Sequence, residues 1–445
     1  NGIVSKDDLV ITGGTITVNA KNNGICGKDC VKIADGNITI KSEGDGIKSN
    51  NSEDISKGYI YICGGKINIT STTDAIQAET TLTIEKGEIN LKTGGGSENS
   101  SKTSGGKDNP QWGKWGQEDS STTEEDTASA KGLKAGGDIK ISNATIAADT
   151  SDDSIHSNSN VTIESGTFNL KSGDDGIHAD TSTVINNGNI VIEKSYEGIE
   201  GSNVTINGGT IELTASDDGI NSAGGSDSSS MGGRMGQNSF TENSDIYIKI
   251  TGGKVTVDAS GDGLDSNSNL IIEGGEINVN GPTNDGNGAL DYDGTATISG
   301  GTFVAVGSSG MVQGFSDSST QCSILYNLSS SHSAGEKITL ADSSGNEIIS
   351  YTSTKQFSSV VISSAKITKS GTYKLTVGSE SYDIEMSSTV YSNGSNGFGG
   401  GGMGGNKPDG FGRGNNGKPP KMPNGENSGM TPPDKPSRET STTNT

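Results

Sequence analysis

Asp174-Asp175-Gly176-Ile177-His178-Ala179 returns with small changes as Gly44-Asp45-Gly46-Ile47-Lys48-Ser49, Asp217-Asp218-Gly219-Ile220-Asn221-Ser222 and Gly261-Asp262-Gly263-Leu264-Asp265-Ser266. The glycine place of this phrase falls at 2, 24, 46, 75, 132, 154, 176, 198, 219, 263, 289 and 311, with Ala75, Ser154, Ala289 and Met311 as substitutes. Successive steps are therefore 22, 22, 29, 57, 22, 22, 22, 21, 44, 26 and 22 residues. Two other phrases keep the same step. One is Gly13-Gly14-Thr15-Ile16-Thr17-Val18, repeated at Gly64-Gly65-Lys66-Ile67-Asn68-Ile69 and Gly208-Gly209-Thr210-Ile211-Glu212-Leu213. The other is Asn160-Val161-Thr162-Ile163, repeated at Asn203-Val204-Thr205-Ile206 and Asn269-Leu270-Ile271-Ile272.

Each unit thus carries three short strands whose side chains alternate inward and outward. Three such strands cannot bury a face alone, but stacked units share one apolar column. The repeat predicts an all-β solenoid: a parallel β-helix of about eleven 22-residue coils, rising about 4.8 Å per coil. A narrow column also explains why only 28% of the 445 residues are hydrophobic while 69 are Gly, a composition otherwise close to that of disordered chains.

The irregular steps locate insertions. Seven extra residues fall around 50–56, a long polar loop covers about 94–130, and a second loop covers 224–243. The β-helix is expected over 1–314, and a small antiparallel β domain over 315–391, with runs such as Ile338-Thr339-Leu340 and Val360-Val361-Ile362. The Gly/Pro/Asn-rich stretch 392–445 reads as a disordered tail. Asn1-Gly2-Ile3-Val4-Ser5 already matches Asn23-Gly24-Ile25. A precursor is expected to supply an N-terminal cap and secretion signal.

A formal charge of -23 counts against nucleic acid as a partner. No apolar run reaches the ~18 residues of a membrane-spanning helix. Four Cys are too few for a disulfide framework, and Cys26, Cys30 and Cys63 read as buried or turn thiols.

The residue before each repeat glycine is acidic at Asp45, Asp74, Asp153, Asp175, Glu197, Asp218 and Asp262, and Asp152, Asp174 and Asp217 add a second acid. Stacked carboxylates about 5 Å apart repel by roughly 3 kcal/mol per pair at an effective dielectric near 20. Ca²⁺ is the expected cofactor, because it takes several hard oxygens in irregular geometry. Asp before Gly is also ordinary turn chemistry, so both roles stand open. Lys131 interrupts the column and offers a cation of its own. His156, His178, Glu200, Asn221, Asp265 and Asp291 continue as an outward polar row suited to sugar hydroxyls or, for the histidines, to zinc. Trp112 and Trp115 lie in the long inserted loop, where an aromatic ring stacks on a sugar or latches the loop down.

Paired acids also suit a glycosidase, but here the pair recurs in three coils. A lyase would want a strong base beside calcium, and the three Arg residues, Arg234, Arg413 and Arg438, fall in the second loop and the tail. A calcium-dependent pectate lyase and a structural spacer or adhesin remain the alternatives.

The repeated phrases, the Ser129-Ala130-Lys131-Gly132-Leu133-Lys134-Ala135 segment after a Trp-bearing loop, and Ser319-Thr320-Gln321-Cys322-Ser323-Ile324-Leu325 resemble a family of secreted clostridial carbohydrate-binding proteins. The resemblance covers nearly all of 1–391. It implies a right-handed parallel β-helix similar to polysaccharide lyases, with calcium in turns that match Asp152-Asp153, Asp174-Asp175 and Asp217-Asp218. It further implies non-catalytic binding of cellulose or polygalacturonate by an extracellular or cell-surface protein.

Overall fold

The computed structural model describes residues 1–100, 129–223 and 246–394. Strands wind through three parallel sheets. The first holds 11 short strands, from Ile3–Ser5 to Leu290–Tyr292, and the second holds 11, from Asp8–Ile11 to Ala296–Ile298. The third holds 14, the earliest being the longer strands Thr15–Ala20 to Thr302–Gly307. This is a parallel β-helix. Among the described residues no helix is long and apolar enough to cross a membrane.

Register is what turns the sequence repeat into a core. Ile155 pairs with Ile177, and Ile177 with Ile199, so each inward side chain rests on its counterpart one coil away. Ile25, Ile47, Ile155, Ile177, Ile220 and Leu264 form such a row and are 0% exposed. Asn37–Ser42 shows the alternation that drives this, with Ile38, Ile40 and Ser42 buried and Asn37, Thr39 and Lys41 exposed. The first strand ends on a small buried residue, and buried serines there find partners: Ser157 Oγ donates to the Gly137 carbonyl at 2.8 Å. The repeat glycine is fixed by closeness between coils. A Cβ on Gly176 would stand 2.6 Å from the Gly198 carbonyl oxygen and 2.7 Å from Ile192 Cδ1.

Both long steps leave the stack unbroken. Ile76 pairs directly with Leu133, and Ile220 with Leu264. The 44-residue step inserts chain inside one coil, between Ile220–Ser222 and Tyr247–Ile250.

Beyond the last coil, the third sheet continues. Phe357–Ser364 pairs antiparallel with Thr302–Gly307, and Ser323–His332 pairs antiparallel with Phe357–Ser364 on its other edge. Alternation then serves two cores at once. Phe303, Ala305 and Val361 close the solenoid column, while Val304, Val306 and Ile362 face a second core with Leu340 and Leu375. A separate antiparallel sheet of four strands, Glu347–Thr352, Lys337–Asp342, Thr372–Val377 and Glu380–Glu385, contributes to that second core. Of the tail expected over 392–445, Ser392 ends the strand Val390–Ser392, which pairs parallel with Ser323–His332, and the residues from 395 onward lie outside the described ones.

Replacing Ile177 by Ala removes a side chain packed on both neighbours and should cost about 2–5 kcal/mol. Thermal and denaturant midpoints should fall accordingly, whereas Lys171→Ala on the outer face should stay within about 0.5 kcal/mol of the parent.

Candidate metal and ligand site

The acids before the repeat glycine sit in the turn that leads from each long strand to the next short strand. Their first partner is backbone. The Asp45 N–H donates to Asn23 Oδ1 (3.0 Å), Lys131 N–H to Asp74 Oδ1 (2.8 Å), Asp175 N–H to Asp153 Oδ1 (3.0 Å), and Asp262 N–H to Asp218 Oδ1 (2.6 Å). One side-chain oxygen therefore joins coil to coil at Asp74, Asp153, Asp218 and Asp262, and Asn1 and Asn23 serve equally well at this place. An Asn or Asp side chain is the shortest that presents such an acceptor.

The second oxygen meets a cation in the first half of the row. Lys48 lies 2.6 Å from Asp45 Oδ2, and Lys134 lies 3.4 Å from Asp74 Oδ2. Lys131 is buried with its ammonium 2.8 Å from Asp152 Oδ1 and 2.5 Å from Asp153 Oδ2. Burial alone would raise the Asp153 carboxyl, but Lys131 and His156 outweigh it and hold it well below the usual range. Burial would likewise lower the Lys131 ammonium, yet its two carboxylates push it above the usual lysine range. Like-charge repulsion was expected to run through the whole column. Lysine and histidine side chains relieve it in part: Asp153 is held low, but burial, with Asp153, Asp174 and Glu200 adding, still raises Asp175 well above the usual range against the pull of His178.

His156 and His178 were expected on an outward strip. Both are buried, and their rings stack 4.7 Å apart at 6°. The turn wraps beside the short strand and covers the position that alternation alone would expose. His156 Nδ1 faces Asp153 Oδ2 at 2.7 Å. His178 Nδ1 lies 3.1 Å from Asp175 Oδ2 and 2.5 Å from Glu200 Oε2, and its Nε2 lies 3.1 Å from Asp180 Oδ1. With carboxylates at both nitrogens the ring must donate from both. Burial disfavours that charge, but Asp175 and Glu200 push the His178 pKa up to about 12. Glu200 is committed to His178, and buried Asn221 donates to Glu197 Oε2 at 2.9 Å. Trp112 and Trp115 lie outside the described residues.

The second half of the row is different. Asp218, Asp262 and Asp265 bring oxygens within 4.8 Å of one another. Among the described residues no Lys, Arg or His forms an ion pair with them, whereas every acid from Asp45 to Asp175 in the leading row has one. Burial raises Asp218 and Asp265 well above the usual carboxylate range, and surrounding acids add to it. Burial likewise raises Asp262 to about 7, with Asp291 and Asp217 adding and a hydrogen bond from the Gly288 backbone opposing. Glu197, also buried, is raised by its neighbours Glu200, Asp175 and Asp218. Two buried oxygens nearby in sequence, Asn221 Oδ1 and Asp293 Oδ2, have no hydrogen-bond partner. Oxygen donors alone, with unpartnered acceptors and unbalanced negative charge, fit a hard divalent cation such as Ca²⁺. Asp265 is the ligand that the sequence reading placed elsewhere. Its place, three residues after Asp262, is the one that Lys48 and His178 take in earlier coils. The Asp152, Asp153 and Asp174 cluster also gathers three acids, but there Lys131 already supplies positive charge.

The family model for carbohydrate-binding domain-containing proteins matches residues 1–176, 159–239 and 176–403. A carbohydrate-binding domain-containing protein of Acetivibrio thermocellus is 55% identical over 95 residues, which is 21% of this chain. The match spans 33% of that relative's length. No solved structure matches significantly.

Two outcomes follow from these charges. Lys131→Met leaves Asp152 and Asp153 without their cation and should destabilise by about 3–5 kcal/mol, measured by denaturant titration. In chelator, Asp262 titrates near 7 when folded against about 3.9 unfolded, so the folded state holds more protons between those values. Stability should therefore fall as pH rises from about 4 to 7, the reverse of a salt-bridged acid. Asp262→Asn should flatten that slope in thermal midpoints.

Proposed function

This chain belongs to the family of carbohydrate-binding domain-containing proteins, and from that membership we propose that it binds plant cell-wall polysaccharide without cleaving it. Calcium, in this reading, stabilises the turns of the later coils. The observation that carries the metal part is the Asp218, Asp262 and Asp265 cluster, with its oxygens gathered and no cation paired with it among the described residues. Once bound there, calcium supplies the positive charge that the earlier coils obtain from lysine and histidine. Asp218 and Asp262 keep one oxygen on the next coil's N–H and turn the rest of the carboxylate toward the ion. Asp265, on the short strand, offers its carboxylate from the other side of the turn.

Cellulose and polygalacturonate are the glycans we assign, on the resemblance of the repeat phrases. An extracellular or cell-surface setting accords with this, since extracellular calcium modules bind at roughly 10⁻⁴–10⁻³ M. Non-catalytic binding is favoured over lyase chemistry because acid pairs recur from coil to coil. The acids are also committed to backbone or cation partners over most of the row. All three Arg residues lie outside the described residues.

Chelation should lower the thermal midpoint, and calcium at a hundred times its Kd should restore about 2.7 kcal/mol per site. Retention on cellulose or polygalacturonate columns, with no rise in unsaturated-product absorbance, is the expected binding result. Product absorbance would favour the lyase, new reducing ends without it a hydrolase, and no retention on either matrix a spacer.

A further inference from the structure

The buried histidines leave the glycan without the surface that the sequence suggested, and a different face offers one. The outward side chains of the long-strand sheet stack in rows, as the inward ones do. Thr39, Asn68, Asn90 and Asn169 form part of one row, and Lys41, Thr70, Lys92 and Lys171 part of the next. Over these rows lies a shallow groove of about 550 Å³. A second, of about 530 Å³, is lined by Lys21, Lys41 and Gly94, and Thr70 borders both. The two make one channel crossing successive coils. None of the acids before the repeat glycines lines it; the carboxylates that do are Asp149 and Glu193, each held by a lysine, and Glu43 at the Lys21 and Lys41 end.

One edge is built up. The segment leading into the long insertion is tied down where the Ser97 N–H donates to Asp149 Oδ1 at 2.8 Å and Lys194 Nζ donates to the Ser97 carbonyl at 3.0 Å. On the floor, Asn90 Nδ2 donates to Asn68 Oδ1 at 3.0 Å. This fixes both amides and leaves the Asn90 oxygen and the Asn68 amino group for other partners. Lys92 and Lys171 are paired with Asp149 and Glu193. Lys21 and Lys41, both exposed, are in no ion pair among the described residues.

We propose that an acidic polysaccharide lies along the solenoid axis in this channel, with its hydroxyls on the Asn and Thr rows and its carboxylates at Lys21 and Lys41. Neighbouring strands are about 4.8 Å apart, close to the advance of an extended pyranose chain per sugar, so successive sugars meet successive coils. On a chain of charge -23, unpaired lysines at one end of the channel give a uronate chain a place where it is attracted and not repelled. Amide and hydroxyl donors arranged at fixed spacing suit sugar hydroxyls, and the charge-assisted contacts add the preference for acid. This rests on the polysaccharide-binding reading and names its surface.

Isothermal titration of the full chain in calcium, with oligogalacturonate and with cello-oligosaccharide, tests it. K21A/K41A should weaken oligogalacturonate about tenfold and cello-oligosaccharide less than twofold. Thr39→Trp, which fills the channel from an exposed position, should weaken oligogalacturonate at least tenfold. Circular dichroism and the calcium-dependent midpoint should match the parent for both. Parent-like affinity in both variants would overturn the channel while leaving polysaccharide binding intact. Equal weakening of both glycans by the lysine changes would overturn carboxylate recognition. A parent chain that binds neither glycan would remove the underlying reading and the channel with it.

Discussion

Every residue in a coil of this protein has its own counterpart as nearest neighbour, one strand spacing away. That constraint governs all else. For apolar side chains it is wholly favourable: Ile on Ile on Ile fills a narrow column with little sequence. For charged side chains it is hostile, because a repeat that copies an acid copies its repulsion. At Asp74 and Asp153 the chain answers by splitting the labour of the carboxylate, one oxygen holding the next coil's N–H and the other facing a cation.

The cations come from two places in the repeat: Lys131 stands at the acid's own place, and the others lie three residues after it. Lys48, Lys134, His156 and His178 occupy that second place in earlier coils, whereas Asn221 and Asp265 occupy it later. The same backbone geometry thus makes a buried ion-pair ladder at one end and a cluster of unbalanced oxygens at the other. His178 is the clearest product of that setting: a buried imidazolium held by Asp175, Glu200 and Asp180.

Much of this was legible in the sequence because a solenoid is nearly one-dimensional. The period located the coils, the inward Ile row and the acids, and Lys131 stood out as the odd residue in its column. What escaped notice depended on three dimensions. Lys48 and His156 looked like unrelated residues until the turn brought each onto the acid three places earlier. The histidine rings were assigned outward by alternation, which cannot know that a turn folds over them. Asp265 went to the polar row for the same reason. The continuation of the third sheet into Phe357–Ser364 is an antiparallel pairing some sixty residues distant from Thr302–Gly307, and no local pattern announces it. The outer Asn and Lys rows were visible as letters, yet their meaning needed the groove above them.

The uneven row has an electrical consequence. Its early coils carry fixed, covalent counter-charge, while the described residues around Asp218, Asp262 and Asp265 supply none. On the calcium reading proposed above, ionic composition acts at one end only: changing the surrounding divalent ion would alter the field near the last coils and leave the first ones as they were. On that reading, a stack of coils whose potential is reset in its last turns alone has a direction that its repeating backbone lacks.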